Sequence, residues 1–210
     1  MRRRLIGGVL AVLAAVSLAA GCSSSSSPSS ATAPTSTVAG APSAEAVRPQ
    51  HNAADVAFAQ GMIPHHAQAI SMAGQAVSRA SSPEVKDLAT KISAAQGPEI
   101  DLMNSMLAAW GSPTVAPNAI GMPAMPGMAP GSSMPGMMSD AEMSQLSTLS
   151  GPAFDKSFLS MMIQHHSGAI QMAQTEQAQG ENPQAKDLAG RIIVDQQQEL
   201  GQMRALLGRV

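Results

Sequence analysis

The amino-acid sequence predicts an all-α fold, a four-helix bundle made of two repeated antiparallel helical hairpins. Three observations point there. The chain repeats itself at an offset of 100 residues, with about 20 of roughly 58 aligned positions identical. Met62-Ile63-Pro64-His65-His66 matches Met162-Ile163-Gln164-His165-His166, and Gln96, Glu99, Met103 and Leu107 recur as Gln196, Glu199, Met203 and Leu207. Within each copy the apolar positions follow a helical period: Phe58, Met62, His65, Ala69 and Met72 step by 4, 3, 4 and 3. Large β-formers are scarce, with no Tyr, one Trp and three Phe against 16 Met. A core built from Ala, Leu, Ile, Val and Met suits helix-on-helix packing.

The elements follow in chain order. Residues 1–21 read as a signal peptide: Arg2, Arg3 and Arg4 precede an apolar run from Leu5 to Ala20 that is short for a permanent membrane span. Ala19-Ala20-Gly21-Cys22 resembles the bacterial lipobox, with Leu18 one place upstream of its usual position. That resemblance implies lipidation of Cys22 and a protein anchored on the extracytoplasmic face of the cell membrane. Residues 22–50, rich in Ser, Thr, Pro and Ala, form a tether with too little apolar surface to order itself. The first hairpin covers 51–110, with Ser82-Pro83 as N-cap and first helical residue of its second helix. A Met/Pro/Gly-rich linker covers 111–139. The second hairpin covers 140–210, where Asn182-Pro183 repeats the cap signal and Ser139 with Glu142 predicts a short extra helix. Pro64 and Pro98 fall inside helices and are expected to kink or unwind them.

Charge and cysteine narrow the function classes. Without the three leading arginines the chain keeps nine Lys and Arg against 14 Asp and Glu, a net charge of −5. There is no basic patch, so nucleic acid is not an expected partner. Cys22 is the only thiol, which leaves no disulfide and no thiolate ligand once it is lipidated.

Four of the five histidines lie in the repeated motif. Met62 stands one turn before His65 and His66, and the two histidines differ by about 100° around the axis. Opposing positions across the hairpin place Glu99 level with residue 64, beside His65, with Gln96 level with residue 67 and Met103 level with residue 60. The second copy puts Glu199 beside His165, with Met203 beyond. The layer can be read as self-satisfied, His65 bonding Glu99 and His66 bonding Gln96, or as a metal site. The candidate ligands are Met62, His65, His66, Glu99, Met103, Met162, His165, His166, Glu199 and Met203. The linker adds Met122, Met125, Met128, Met134, Met137 and Met138, thioethers that suit Cu(I) and bind Zn, Mg or Fe poorly. Asp55 and Asp155 are weaker candidates, because an acidic residue in a first helical turn already answers the helix dipole.

The pattern Phe58-x3-Met62-Ile63-Pro64-His65-His66-x2-Ala69-Ile70-x-Met72-Ala73, its second copy, and Gln96-x2-Glu99-x3-Met103 resemble the bacterial "domain of unknown function 305" family. The resemblance covers about 52–110 and 152–210. It implies a ferritin-like fold, export, an association with copper handling, and Met62, His65, His66, Met162, His165 and His166 as ligands. Copper binding or buffering without catalysis is therefore the expected function, with membrane and metal ion as the expected partners. Two alternatives come from other classes. One is a structural or interaction module without metal. The other is a di-iron or di-manganese carboxylate oxidase, disfavoured because no Glu-x-x-His motif occurs.

Overall fold

The computed structural model describes residues 46–116 and 134–210. Cys22, the signal peptide, most of the tether, Met122, Met125 and Met128 lie outside the described residues. Among the described residues there are five helices and no strand: α1 (Ala53–Arg79), α2 (Pro83–Ala109), α3 (Asp140–Thr148), α4 (Gly151–Gln179) and α5 (Pro183–Leu207). None is long and apolar enough to cross a membrane.

Side-chain caps start four of the five helices, α4 having none. Asn52 caps α1 in a reciprocal box with Asp55, and Ser139 caps α3 in the same way with Glu142. Ser82 caps α2 and Asn182 caps α5, each followed by proline at the first helical position. Three residues join α1 to α2 and three join α4 to α5, so each pair must fold back on itself as a hairpin. The expected unwinding at Pro64 and Pro98 does not occur, since both helices run on uninterrupted. One missing amide in a long, packed helix is tolerated when the flanking ladder and the buried face stay intact.

The hairpins pack through α1 against α4, head to tail. Two apolar cores result, and each takes one half of each hairpin. One joins Ala69–Ile92 positions of the first copy to Phe154, Phe158, Leu159, Met162, Leu200 and Met203 of the second. The other joins Phe58, Met62, Ile63, Met103 and Leu107 to Ala169, Ala173, Leu188 and Ile192. Neither hairpin can therefore bury its apolar face alone. Full burial of side chains such as Phe154, Phe158, Met62 and Ile92 contributes about 1.5–3 kcal/mol each.

The ends of the bundle are tied by a reciprocal device. Asp155, at the start of α4, accepts from the amides of Ser81 (3.1 Å) and Ser82 (2.9 Å) and from the Ser81 hydroxyl. Asp55, at the start of α1, accepts from the amides of Glu181 (3.2 Å) and Asn182 (2.9 Å) as well as its own cap residue Asn52 (2.6 Å). Asp55 lies in the first turn of α1 and Asp155 just past the first turn of α4, and each closes the turn of the opposite hairpin.

Candidate metal centre

Between the two cores lies a polar layer. His65 comes from the middle of α1 and His165 from the middle of α4. Their positions are related by the repeat, so the head-to-tail packing brings them face to face with ring centroids 3.8 Å apart and planes inclined by 43°. His66 and His166 are one residue further on and turn toward the other helix of their own hairpin. His66 Nε2 donates to Glu99 Oε2 at 2.7 Å, and His166 Nε2 to Glu199 Oε2 at 2.6 Å. All four rings are fully buried, while the two glutamates stay partly exposed.

These partners differ from the sequence expectation. Glu99 and Glu199 pair with His66 and His166, not with His65 and His165. The physical reason is the 100° step between adjacent helical residues. Once His65 is aimed across the dyad at α4, His66 has to face α2. Gln96 bonds to neither histidine, and both of its amide atoms are buried without a hydrogen-bond partner.

His65 has a third kind of partner. Its Nε2 donates to the Pro135 carbonyl at 3.0 Å. A carbonyl can only accept, so His65 holds its proton on Nε2 and its lone pair on Nδ1. The Nδ1 atoms of His65, His66, His165 and His166 are all buried without a hydrogen bond, and so is His165 Nε2. Burial is the main force keeping the central pair neutral. It pushes His65 down to about 3, helped by His66 and opposed by Pro135. His165 also falls well below the usual histidine range, through burial first and then its three histidine neighbours. The nearby His65 backbone opposes that fall slightly without making a hydrogen bond of normal geometry.

Among the described residues, no three His, Asp or Glu side chains stand together in a metal-holding arrangement. Any ion at the layer would have to use imidazole pairs with thioethers. Met62 and Met103 are fully buried in one core, Met162 and Met203 in the other, so both sides of the layer are flanked by sulfur. The described linker methionines divide. Met138 is a core residue, 4% exposed, packed among the residues of the first core. Met134 and Met137 are half-buried and joined by a turn in which the Met137 amide donates to the Met134 carbonyl at 3.1 Å.

Three groups have roles that the sequence does not reveal. Asp55 and Asp155 serve as cross-hairpin caps, which needs the packing to be seen. Glu176 stands where the first copy has Ala76. It is buried against Asp55, and burial first, then Asp55, pushes its carboxyl up to about 8. Burial alone would raise Asp55 as well, but bonds from Glu176 and from the amides of Asn52, Asn182 and Glu181 outweigh it and hold Asp55 low. Glu176 is therefore held protonated beside the ionised Asp55, although neither of its oxygens makes a hydrogen bond of normal geometry. Gln68 and Gly168, the third group, hold the Pro135 segment in place.

Comparison with known proteins is consistent with this layout. The chain is 45% identical over 62 residues to an uncharacterized protein, L153, of Acanthamoeba polyphaga mimivirus, and spans 41% of that protein's length. Among solved structures, a DUF305 fragment from Deinococcus radiodurans superposes with a TM-score of 0.66 at 34% identity, covering 77% of this chain and all of that one. A DUF305 protein of Streptomyces coelicolor gives 0.65 at 34% identity, over 74% and 91% of the two chains. CopM in its Cu(II)-bound form gives 0.61 at 33% identity, over 73% and 95%. CopM has also been crystallised with Cu(I) and with silver. The family model described as "Domain of unknown function (DUF305)" matches residues 55–207, and with the duplicated hairpin and the paired histidine motifs this chain belongs to that family.

Proposed function

We propose that this protein is a non-catalytic copper-binding protein of the extracytoplasmic face, anchored through lipidated Cys22, which takes copper as cargo at the histidine layer. The observation that carries the reading is the buried His65–His165 pair with its unpartnered ring nitrogens. A buried polar atom left without a partner costs about 1–3 kcal/mol. A metal ion uses those lone pairs directly. It also needs neutral imidazole, which burial provides for His65 and His165.

The surroundings fit the same chemistry. Glu99 and Glu199 hold the Nε2 protons of His66 and His166, the carboxylate–histidine pairing that fixes the tautomer and turns Nδ1 into the donor atom. In this reading the glutamates orient ligands and do not ligate. Met62, Met103, Met162 and Met203 supply soft sulfur for Cu(I). The likeness to CopM, crystallised with Cu(I), Cu(II) and silver, supports copper as the cargo. The linker methionines Met122, Met125 and Met128 form a second, sulfur-only set suited to Cu(I).

The test is a titration of the full-length protein with Cu(I) and, separately, Cu(II). One variant changes His65, His66, His165 and His166 to Ala, and another changes Met122, Met125 and Met128 to Ser. The histidine variant is expected to lose Cu(II) and part of the Cu(I), and the methionine variant to lose Cu(I) alone. Unchanged copper in both variants refutes the proposed ligands. For the anchor, Cys22→Ser is expected to leave the protein unprocessed or to release it from the membrane fraction.

A further inference from the structure

The two copies of the repeat part company at position 68, where Gln68 has Gly168 as its counterpart. Both residues meet the same short segment, 134–138. Gln68 is buried, its Nε2 donates to the Met138 carbonyl at 2.8 Å, and its Oε1 accepts from the Met138 amide at 2.7 Å. At Gly168 a Cβ would overlap the Pro135 carbonyl, so only glycine leaves room for the segment. Between them the Pro135 carbonyl accepts from His65 Nε2. Gly136 then crosses α4 with φ +78, where a Cβ would come within 2.7 Å of the Gln164 carbonyl and 2.8 Å of the His165 carbonyl. The segment is a strap laid over one face of the histidine pair. Burial shows the same asymmetry: Pro64 and Ala67 are buried, whereas their counterparts Gln164 and Ser167 are exposed.

We propose that residues 134–138 are a releasable strap controlling access of a metal ion to His65 and His165, with Gln68 as its latch and Gly168 as its seat. The proposal rests on the metal-binding reading above. The central pair is fully buried, so an ion reaches it only through local opening. Opening α1 or α4 would break a helical ladder and an apolar core together. Lifting the strap breaks three hydrogen bonds to α1 and draws the Met138 side chain out of the first core, but it leaves every helical ladder intact. It also frees His65 Nε2, which the Pro135 carbonyl otherwise occupies.

The experiment uses the full-length protein and Cu(II), a probe that thioethers alone bind weakly. Gln68→Ala removes the latch, and Gln68→Met removes it while keeping the volume should the smaller side chain fail to fold. Gly168→Ala unseats the strap. Three quantities are read: amide exchange at Met137 and Met138 without metal, the rates of Cu(II) uptake and release, and the equilibrium affinity. The latch variants are expected to speed Met138 exchange, uptake and release by about tenfold each, with affinity moving less than about threefold. A latch that only stabilises the fold would lower Tm and leave the copper rates alone. Faster exchange with unchanged rates, in a chain that still binds Cu(II), overturns the gate and leaves the metal reading standing. Weaker affinity without faster rates also overturns it, making Gln68 a residue that positions the site. A wild-type chain that binds no Cu(II) sinks the metal reading, and the gate falls with it.

Discussion

Replacing Glu176 with Gln removes an acidic proton buried at one end of the bundle, and its effect on stability should depend on pH in a defined direction. Glu176 is held at about 8 in the folded protein against 4.5 ordinarily, through burial first and then the neighbouring Asp55. The folded state therefore keeps a proton that the unfolded chain gives up. The stabilisation is fully present below about pH 4.5 and is lost as pH rises, the loss being complete above about 8. In full, that displacement corresponds to ~5 kcal/mol. The site lies at a bundle end with Lys186 close by, whose ammonium donates to the Gly180 carbonyl at 3.3 Å, so screening reduces the expected loss to about 1–3 kcal/mol. Glutamine keeps the size of the protonated acid and a neutral N–H donor beside Asp55, but never ionises. Glu176→Gln should match wild type near pH 5 and exceed it by about 1–3 kcal/mol at pH 9. Urea denaturation at pH 5, 7 and 9 reads this directly. An alkaline loss of stability in Glu176→Gln equal to that of wild type would refute the assignment of that proton to Glu176.

Further outcomes follow from neighbouring geometry. Gly180 leaves space for the Glu176 carboxyl, and a Cβ there would also sit 2.8 Å from Asp55 Oδ1. Gly180→Ala alone should cost about 1–3 kcal/mol. Glu176→Ala with Gly180→Ala, which recreates the Ala76 and Ala80 of the first copy, should recover most of that at pH 7, as thermal denaturation would show. Asp155→Ala strips the acceptor from two amides and a hydroxyl and should cost about 2–4 kcal/mol; an effect below 1 kcal/mol on urea denaturation would mean that solvent replaces the cap. Glu99→Gln should leave the fold intact and weaken Cu(II) binding roughly 10–100-fold, the usual loss on removing an orienting carboxylate; calorimetry with unchanged affinity would remove Glu99 from the site.

Much of this fold was legible because duplication writes the same message twice. The seam from Phe58 to Met72, the cap at Ser82-Pro83 and the short helix after Ser139 all stand where the residues indicate. The site was legible only in composition. Paired histidines beside a glutamate could be read from spacing, but their partners could not. Hairpin register alone pairs Glu99 with His65, whereas in the bundle His65 faces the other hairpin and leaves Glu99 to His66. Asp55 and Asp155 looked fully explained by their own helix ends, yet their bonds run to turns more than 70 residues away. The strap was hidden for a similar reason. Pro135 and Gly136 read as loop residues in a methionine-rich stretch, and only the contact with Gly168 shows that the loop closes a face of the site.

The head-to-tail meeting of α1 and α4 also bears on what a single hairpin would do alone. A lone hairpin with this sequence pattern would expose its seam, and a second copy of itself is the surface that best matches it. Two identical hairpins would close as an isologous dimer, with one histidine from each lying across the two-fold axis. Residues 50–112 alone should accordingly form a symmetric pair in solution. Fusing the two copies into one chain lifts the requirement that both halves be alike. One side could then exchange Gln for Gly and accept a strap, while one end exchanged Ala for Glu and gained a proton. The joined halves, being unlike at these positions, give the bundle a distinguishable front and back.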